Sequence, residues 1–234
     1  MLFITMKNIL FILLLVSAFY NAQKKTVIPL LDNKPEKFDL HIRSNELAKK
    51  IKTKVYITDR EDSFHVNDKD GKTLISYNRS YDVVNQKFAF SGYDYSQNPL
   101  FGVYRQFYPN NILKEKGRYC WFGFKIGDWY HYDEDGKLIS VENTDQGFDF
   151  TYKMLLNYCK QNKIPLEKRE EGGFVTSIFK TVKENTSLWI IRYFGMSDSD
   201  PTRKVDKFIM LDGKTGKTVE KGEHPLPVDC VIKN

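Results

Sequence analysis

Two stretches of this chain repeat with an offset of 25 residues: Gly102-Val-Tyr104-Arg-Gln-Phe107-Tyr108-Pro-Asn110-Asn111-Ile-Leu113 and Gly127-Asp-Trp129-Tyr-His-Tyr132-Asp133-Glu-Asp135-Gly136-Lys-Leu138. Gly aligns with Gly, Tyr with Trp, Phe with Tyr, Asn-Asn with Asp-Gly and Leu with Leu. A turn pair held at fixed distances from aromatic and aliphatic residues predicts stacked β-hairpins, each too small to bury its apolar face alone. Asp70-Gly71, between Phe64-His-Val66 and Leu74-Ile75-Ser-Tyr77, suits a type I′ turn, where both central residues take positive φ. Gly71 precedes Gly136 by 65 residues, which is not a multiple of the repeat, so this segment is not counted as a full unit.

The repeats sit inside an unusually aromatic region, residues 88–141, punctuated by Gly92, Gly102, Gly117, Gly123, Gly127 and Gly136. Short aromatic runs broken by glycine predict an antiparallel sheet. Alternation places Trp129 and His131 on one face and Tyr130 and Tyr132 on the other. Either neighbouring segments cover both faces, or one stays exposed. Phe148, Tyr152, Leu155 and Cys159 then fall on one stripe of a helix, with Asp149 as its cap and Asn162 and Pro165 at its end. Gly173–Val182, Leu188–Phe194, Val205–Leu211 and Lys217–Glu220 read as strands. A short helix after Ser44 and a strand over Lys54–Thr58 are expected earlier in the chain. The fold class expected is α+β, mostly antiparallel β. Its parts are a β-rich region over 23–147, with the repeats at about 92–141, a helix-plus-strand unit over 148–222, and an irregular tail over 223–234.

Residues 1–22 pair a lone Lys7 with the apolar run Ile9–Val16 and a small residue at Ala22, before the polar Gln23-Lys24-Lys25. Such a segment reads as a cleaved signal peptide, too short for a membrane span, and implies a periplasmic or extracellular protein. Its removal lowers the net charge from +6 only to +5. The remaining Lys24-Lys25, Lys49-Lys50 and Lys114–Lys116 are short clusters on solvated surfaces, not the dense basic stripe of a nucleic-acid binder. No later stretch is apolar enough for a transmembrane helix. Three cysteines, Cys120, Cys159 and Cys230, permit one disulfide at most. Cys159 falls on the helical stripe as a small hydrophobe, and Cys120–Cys230 is the candidate bridge.

The pattern Gly-x-Trp/Tyr-x-x-Phe/Tyr, a turn pair and Leu, strongest over Gly123–Leu138 and preceded by Lys116-Gly117-Arg-Tyr119, resembles the MORN repeat in its antitoxin-like bacterial variant. The first copy departs from it with Asn111 at the glycine position. The resemblance implies stacked hairpins used as a scaffold or docking surface and carries over no catalytic residue. The C-terminal unit, with Trp189-Ile-Ile191-Arg-Tyr193 and Phe208–Asp212 leading into Thr215-Gly216, looks somewhat like a PepSY-type module.

Few residues suggest chemistry. His131-x-Asp133-x-Asp135-Gly136 followed by Glu142 has the spacing of a calcium loop except at its first ligand. Histidine is a poor hard-cation ligand there, and Asp135-Gly136 is already explained by the hairpin turn. His41, His65, His131 and His224 have no zinc-binding spacing. Cys120 with His131 would make a thiol and base, but no orienting third residue is evident. Nucleophile-elbow, P-loop and dinucleotide motifs do not occur. No catalytic, cofactor or metal residue is therefore assigned. The expected function is a non-enzymatic binding or scaffold protein, with a protein or cell-envelope component as partner. The alternative is an inhibitor or immunity-type protein that occupies a partner enzyme.

Overall fold

The computed structural model of the chain describes residues 28–38, 56–60, 63–67, 73–82, 86–166, 168–169, 173–174 and 176–225. The expected signal segment, the segment after Ser44, the turn expected at Asp70-Gly71 and Cys230 lie outside them.

Strands β1 (Tyr56–Arg60), β2 (Ser63–Asn67), β3 (Thr73–Asp82), β4 (Lys87–Asp94), β5 (Phe101–Phe107), β6 (Leu113–Cys120), β7 (Phe124–Tyr132) and β8 (Leu138–Asn143) form one eight-stranded meander in chain order. Helix α1 (Tyr152–Gln161) follows, then a two-stranded ribbon of β9 (Lys168–Arg169) and β10 (Gly173–Phe174). A four-stranded meander closes the fold: β11 (Thr176–Lys183), β12 (Thr186–Met196), β13 (Lys204–Asp212) and β14 (Thr218–Pro225). All pairings are antiparallel, as the short aromatic runs and turn residues lead one to expect. No helix among the described residues is long and apolar enough to cross a membrane.

The turns after β5 and β7 are built alike. Tyr108 N–H donates to the Ile112 carbonyl at 2.7 Å and Asn111 N–H to the Tyr108 carbonyl at 2.9 Å. Their counterparts, Asp133 to Lys137 and Gly136 to Asp133, are both 3.0 Å. Asn111 and Gly136 both take positive φ, 66° and 83°, which explains why only Asn or Gly stands there. In each hairpin the register then slips by one residue: Phe107 faces Leu113 while Gln106 faces Glu115, and Tyr132 faces Leu138 while His131 faces Ser140. The β2–β3 hairpin slips in the same way, with Asn67 facing Thr73 and Val66 facing Ile75. The Tyr108 hydroxyl donates to the Tyr132 carbonyl at 2.8 Å, and Asn110 Nδ2 to the Glu134 carbonyl at 3.0 Å, tying one turn to the next.

One face of the large sheet carries the core. Phe38, Val66, Ile75, Tyr77, Phe107, Leu113 and Tyr132 form one buried cluster, into which residues 28–38, running along β6 as a strap, insert Phe38. The strap is fastened by three cations on neighbouring strands. Arg105 Nε donates to Glu36 at 2.8 Å and Arg118 Nε to the Pro29 carbonyl at 2.9 Å. Lys116, in the cluster expected to be solvated, is instead fully buried between them, with its Nζ donating to Asp32, Glu36 and the Lys34 carbonyl at 3.0, 2.9 and 2.7 Å. Its charge is buried because three oxygens of the strap take up all three of its protons.

A second cluster joins Phe101, Cys120, Phe124 and Ile126 of the large sheet to Leu155 and Cys159 of α1 and to Ile178, Trp189, Ile191 and Leu211 of the small sheet. Trp189 meets Phe124 and Phe148 edge to face, each at 5.1 Å, and donates its Nε1 to the Phe150 carbonyl at 2.8 Å. Phe150 also donates its N–H to the Gly213 carbonyl at 2.9 Å, which ties it to the small sheet and keeps it out of the helix. Helix α1 consequently begins later than the apolar stripe predicts. Thr151, not Asp149, is its N-cap, accepting from Met154 N–H, while Asn162 closes it as expected. Nor is residue 223 the start of an irregular tail. Strand β14 runs on to Pro225, held by His224 stacked on Phe208 at 5.2 Å and by Glu223 accepting from Ser197 Oγ at 2.5 Å. Pro225 is tolerated because it ends an edge strand.

Candidate functional site

Among the described residues, the opposite face of the large sheet is the one that no segment covers. Pairing across the strands sets its side chains in rows. Ser76, Tyr93, Tyr104, Gly117, Trp129 and Glu142 lie in register on β3 through β8. Beside them runs a polar row of Asn78, Ser91, Gln106, Glu115, His131 and Ser140. Tyr119 and Lys125 pair on the other side of the aromatic row. The tyrosines are in mutual contact, with Tyr93 5.0 Å from Tyr104 and 5.1 Å from Tyr119. Tyr95 continues the series to Trp121, 4.5 Å away.

Gly117 makes this packing possible. A Cβ there would lie 2.1 Å from the Trp129 indole, so the ring lies flat over bare backbone. From that position Trp129 donates its Nε1 to the Arg118 carbonyl at 3.1 Å. Lys125 Nζ caps the other side of the ring 3.8 Å from its centre, a cation–π contact. Trp129 is thereby buried, which leaves Tyr93, Tyr104, Tyr119 and Trp121 as the partly exposed aromatics. Burial raises the phenol pKa values, to about 12 for Tyr104 and Tyr119. Tyr119 also donates to Tyr93. These hydroxyls stay protonated and serve as neutral donors and acceptors.

Two concavities flank the aromatic row and share Tyr119. One, of about 460 Å³, is walled by Tyr93, Tyr95, Trp121 and the β3 residues Leu74, Ser76 and Asn78. The other, of about 420 Å³, lies where the large sheet meets β11, between Lys125, Glu142, Phe148, Phe179 and Lys180. Its lysines are engaged. Lys180 pairs with Asp145 and donates to the Thr144 carbonyl at 3.0 Å, and Lys125 lies over Trp129. Burial lowers the Lys180 pKa against the pull of Asp145.

The residues singled out for chemistry do not converge. Asp133 Oδ1 is occupied within its turn, accepting from Asp135 N–H at 3.1 Å and Lys137 N–H at 2.8 Å. Glu142 is one strand away on the open face, beside His131. No group of three or more potential metal ligands is assembled among the described residues. Cys120 and His131 lie on opposite faces: Cys120 is buried in the core, while His131 stands between Glu115 and Glu142, 3.5 Å from each. Cys120 and Cys159 are free thiols whose pKa burial pushes up to about 12, the reverse of what a nucleophile needs. Sequence alternation separated Trp129 and His131 from Tyr130 and Tyr132 correctly. It did not bring Tyr93, Tyr104 and Tyr119 together, because their adjacency depends on the register of three hairpins. The recurring glycine before an aromatic strand was the available signal. No known protein family, curated protein or solved structure matches the chain.

Proposed function

We propose that this is an exported, non-enzymatic binding protein, in which MORN-like hairpins form the scaffold and the open face of the large sheet receives a component of the cell envelope. One observation carries the reading: the strap and core clusters cover one face, while the other presents a contiguous row of half-buried tyrosines beside a groove of about 460 Å³. A groove of that size with rigid aromatic walls and a few polar groups is suited to holding a ligand. The 25-residue duplication and the N-terminal apolar segment support the scaffold and export parts of the reading.

The test measures retention of the purified chain on washed envelope fragments of the organism that encodes it, alongside N-terminal sequencing of the exported protein. Retention that falls at least about tenfold in Tyr93→Ala and Tyr119→Ala, with a mature end near Gln23, is the expected result. A chain that is not retained, or variants retained equally well, would sink the binding reading.

A further inference from the structure

We infer that the groove between β3 and β6 takes a neutral oligosaccharide, an inference that rests on the binding role proposed for this face. Its walls are the aromatic rings of Tyr93, Tyr95, Tyr119 and Trp121, and its polar edge is Ser76 and Asn78, with no charged side chain among the lining residues. Next to it in the polar row stand Ser91 and Gln106, also neutral; Glu115 follows Gln106 in that row and lies 3.5 Å from His131. The ligand must therefore present a flat apolar surface to the rings and uncharged hydrogen-bonding groups around its rim. The two faces and equatorial hydroxyls of a pyranose have that combination.

Other ligand classes fit less well. An extended peptide binds a sheet through backbone pairing at an edge, but β3 to β6 are interior strands whose neighbours already take those groups. A nucleic acid would stack on the same rings, yet needs cations along its phosphates. Lys125, on this face, caps Trp129, and Lys180, on β11 at the junction with the small sheet, is paired with Asp145. A wholly apolar ligand would strand the hydroxyl protons of Ser76 and Tyr93 away from water. The phenols add to the fit. They are protonated across the physiological range; with the Tyr119 proton given to Tyr93, Tyr93 has its own proton to donate to a sugar hydroxyl and Tyr119 has an oxygen lone pair to accept with.

The experiment titrates the full mature chain with soluble oligosaccharides of four to six units: α- and β-linked glucans, mannans, and β-linked N-acetylglucosamine oligomers. Uronic-acid oligomers and an unrelated extended peptide form separate arms. Calorimetry reads affinity, and acrylamide quenching of tryptophan fluorescence reads shielding of Trp121. The expected result is binding of at least one neutral series at millimolar affinity or better, with reduced quenching, weakened about tenfold or more in Tyr119→Ala and Tyr93→Ala. Tyr119→Phe, which keeps the ring, should lose less. Absence of binding by every neutral series, binding confined to the acidic or peptide arm, or unchanged affinity in folded Tyr119→Phe and Tyr119→Ala proteins alike would overturn the inference. If an alanine variant does not fold, ligand-dependent shielding in the wild-type chain decides the matter, and its absence counts against the proposal. Envelope retention that depends on Tyr93 and Tyr119 but is not competed by any neutral oligosaccharide would leave the binding role standing and remove the sugar.

Discussion

Tyr104 and Trp129, one repeat length apart, stack on each other across Gly117, with ring centroids 5.6 Å apart and planes 25° from parallel. The middle strand contributes no side chain, and the two rings meet over the gap. In Gly117→Ala the new methyl would enter the indole 2.1 Å away, so the ring must leave its site and lose its bond to the Arg118 carbonyl. A destabilisation of about 2 kcal/mol or more is expected, measured by urea denaturation, with a red shift in tryptophan emission.

Asn111 and Gly136 test whether the two turns are equivalent. Both have positive φ, where a Cβ is strained. Gly136→Ala is expected to cost about 1 kcal/mol, whereas Asn111→Gly, which restores the residue of the second copy, should change stability by less than about 0.5 kcal/mol. Thermal unfolding of the two variants side by side measures the difference.

The strap should loosen in acid. A hydrogen bond from Lys116 chiefly lowers the Asp32 carboxyl below its ordinary 3.8, so the folded state binds this proton less readily than the unfolded chain. Its contribution is full above that ordinary value and disappears as pH falls through the depressed one. Limited proteolysis within residues 28–38 should therefore accelerate below about pH 4. In Lys116→Met, which removes the buried ammonium, the strap should already be cleaved at neutral pH.

Alkali should act on phenols of both faces of the large sheet. Burial raises Tyr104, Tyr119 and Tyr132 from 10.0 to about 12, and Tyr95 further still. The folded state holds these protons more tightly than the unfolded chain, so stability is whole below pH 10 and declines as pH rises above it. Ultraviolet titration should show these phenols ionising late, and together with unfolding.

Cys120 and Cys159 should resist alkylation at pH 8 in the native state and react once denatured, because each is fully buried with its pKa pushed up to about 12. Mass spectrometry in a Cys230→Ser background reads the two sites separately. Rapid native labelling of Cys120 would contradict its place in the core.

Local patterns carried much of this fold, and they failed where distant residues decide. Alternation, turn pairs and glycine spacing sufficed for the antiparallel meanders, since each of those features acts within a few residues of itself. The β2–β3 hairpin, with the same register slip as its two successors, escaped the spacing rule because β4 stands between it and the next hairpin. Lys116 reads as one more surface lysine until Asp32 and Glu36, more than seventy residues earlier, are brought over it. Phe150 delays α1 for a similar reason, since its hydrogen-bond partners Gly213 and Trp189 come much later in the chain. The tyrosine row is likewise invisible in any one strand. It exists only once β4, β5 and β6 are aligned.

The strap also sets an order of assembly. Asp32 precedes Lys116 by 84 residues and Pro29 precedes Arg118 by 89, so a segment made early must wait for strands made much later. A chain emerging N-terminus first can zip its hairpins one after another, since each closes locally. It cannot fasten the strap until β6 has been delivered, and until then the buried site of Lys116 and the aromatic cluster beneath Phe38 lack their cover. The ion pairs thus act as a late latch, and the half-made protein remains open for longer than its succession of short hairpins would suggest.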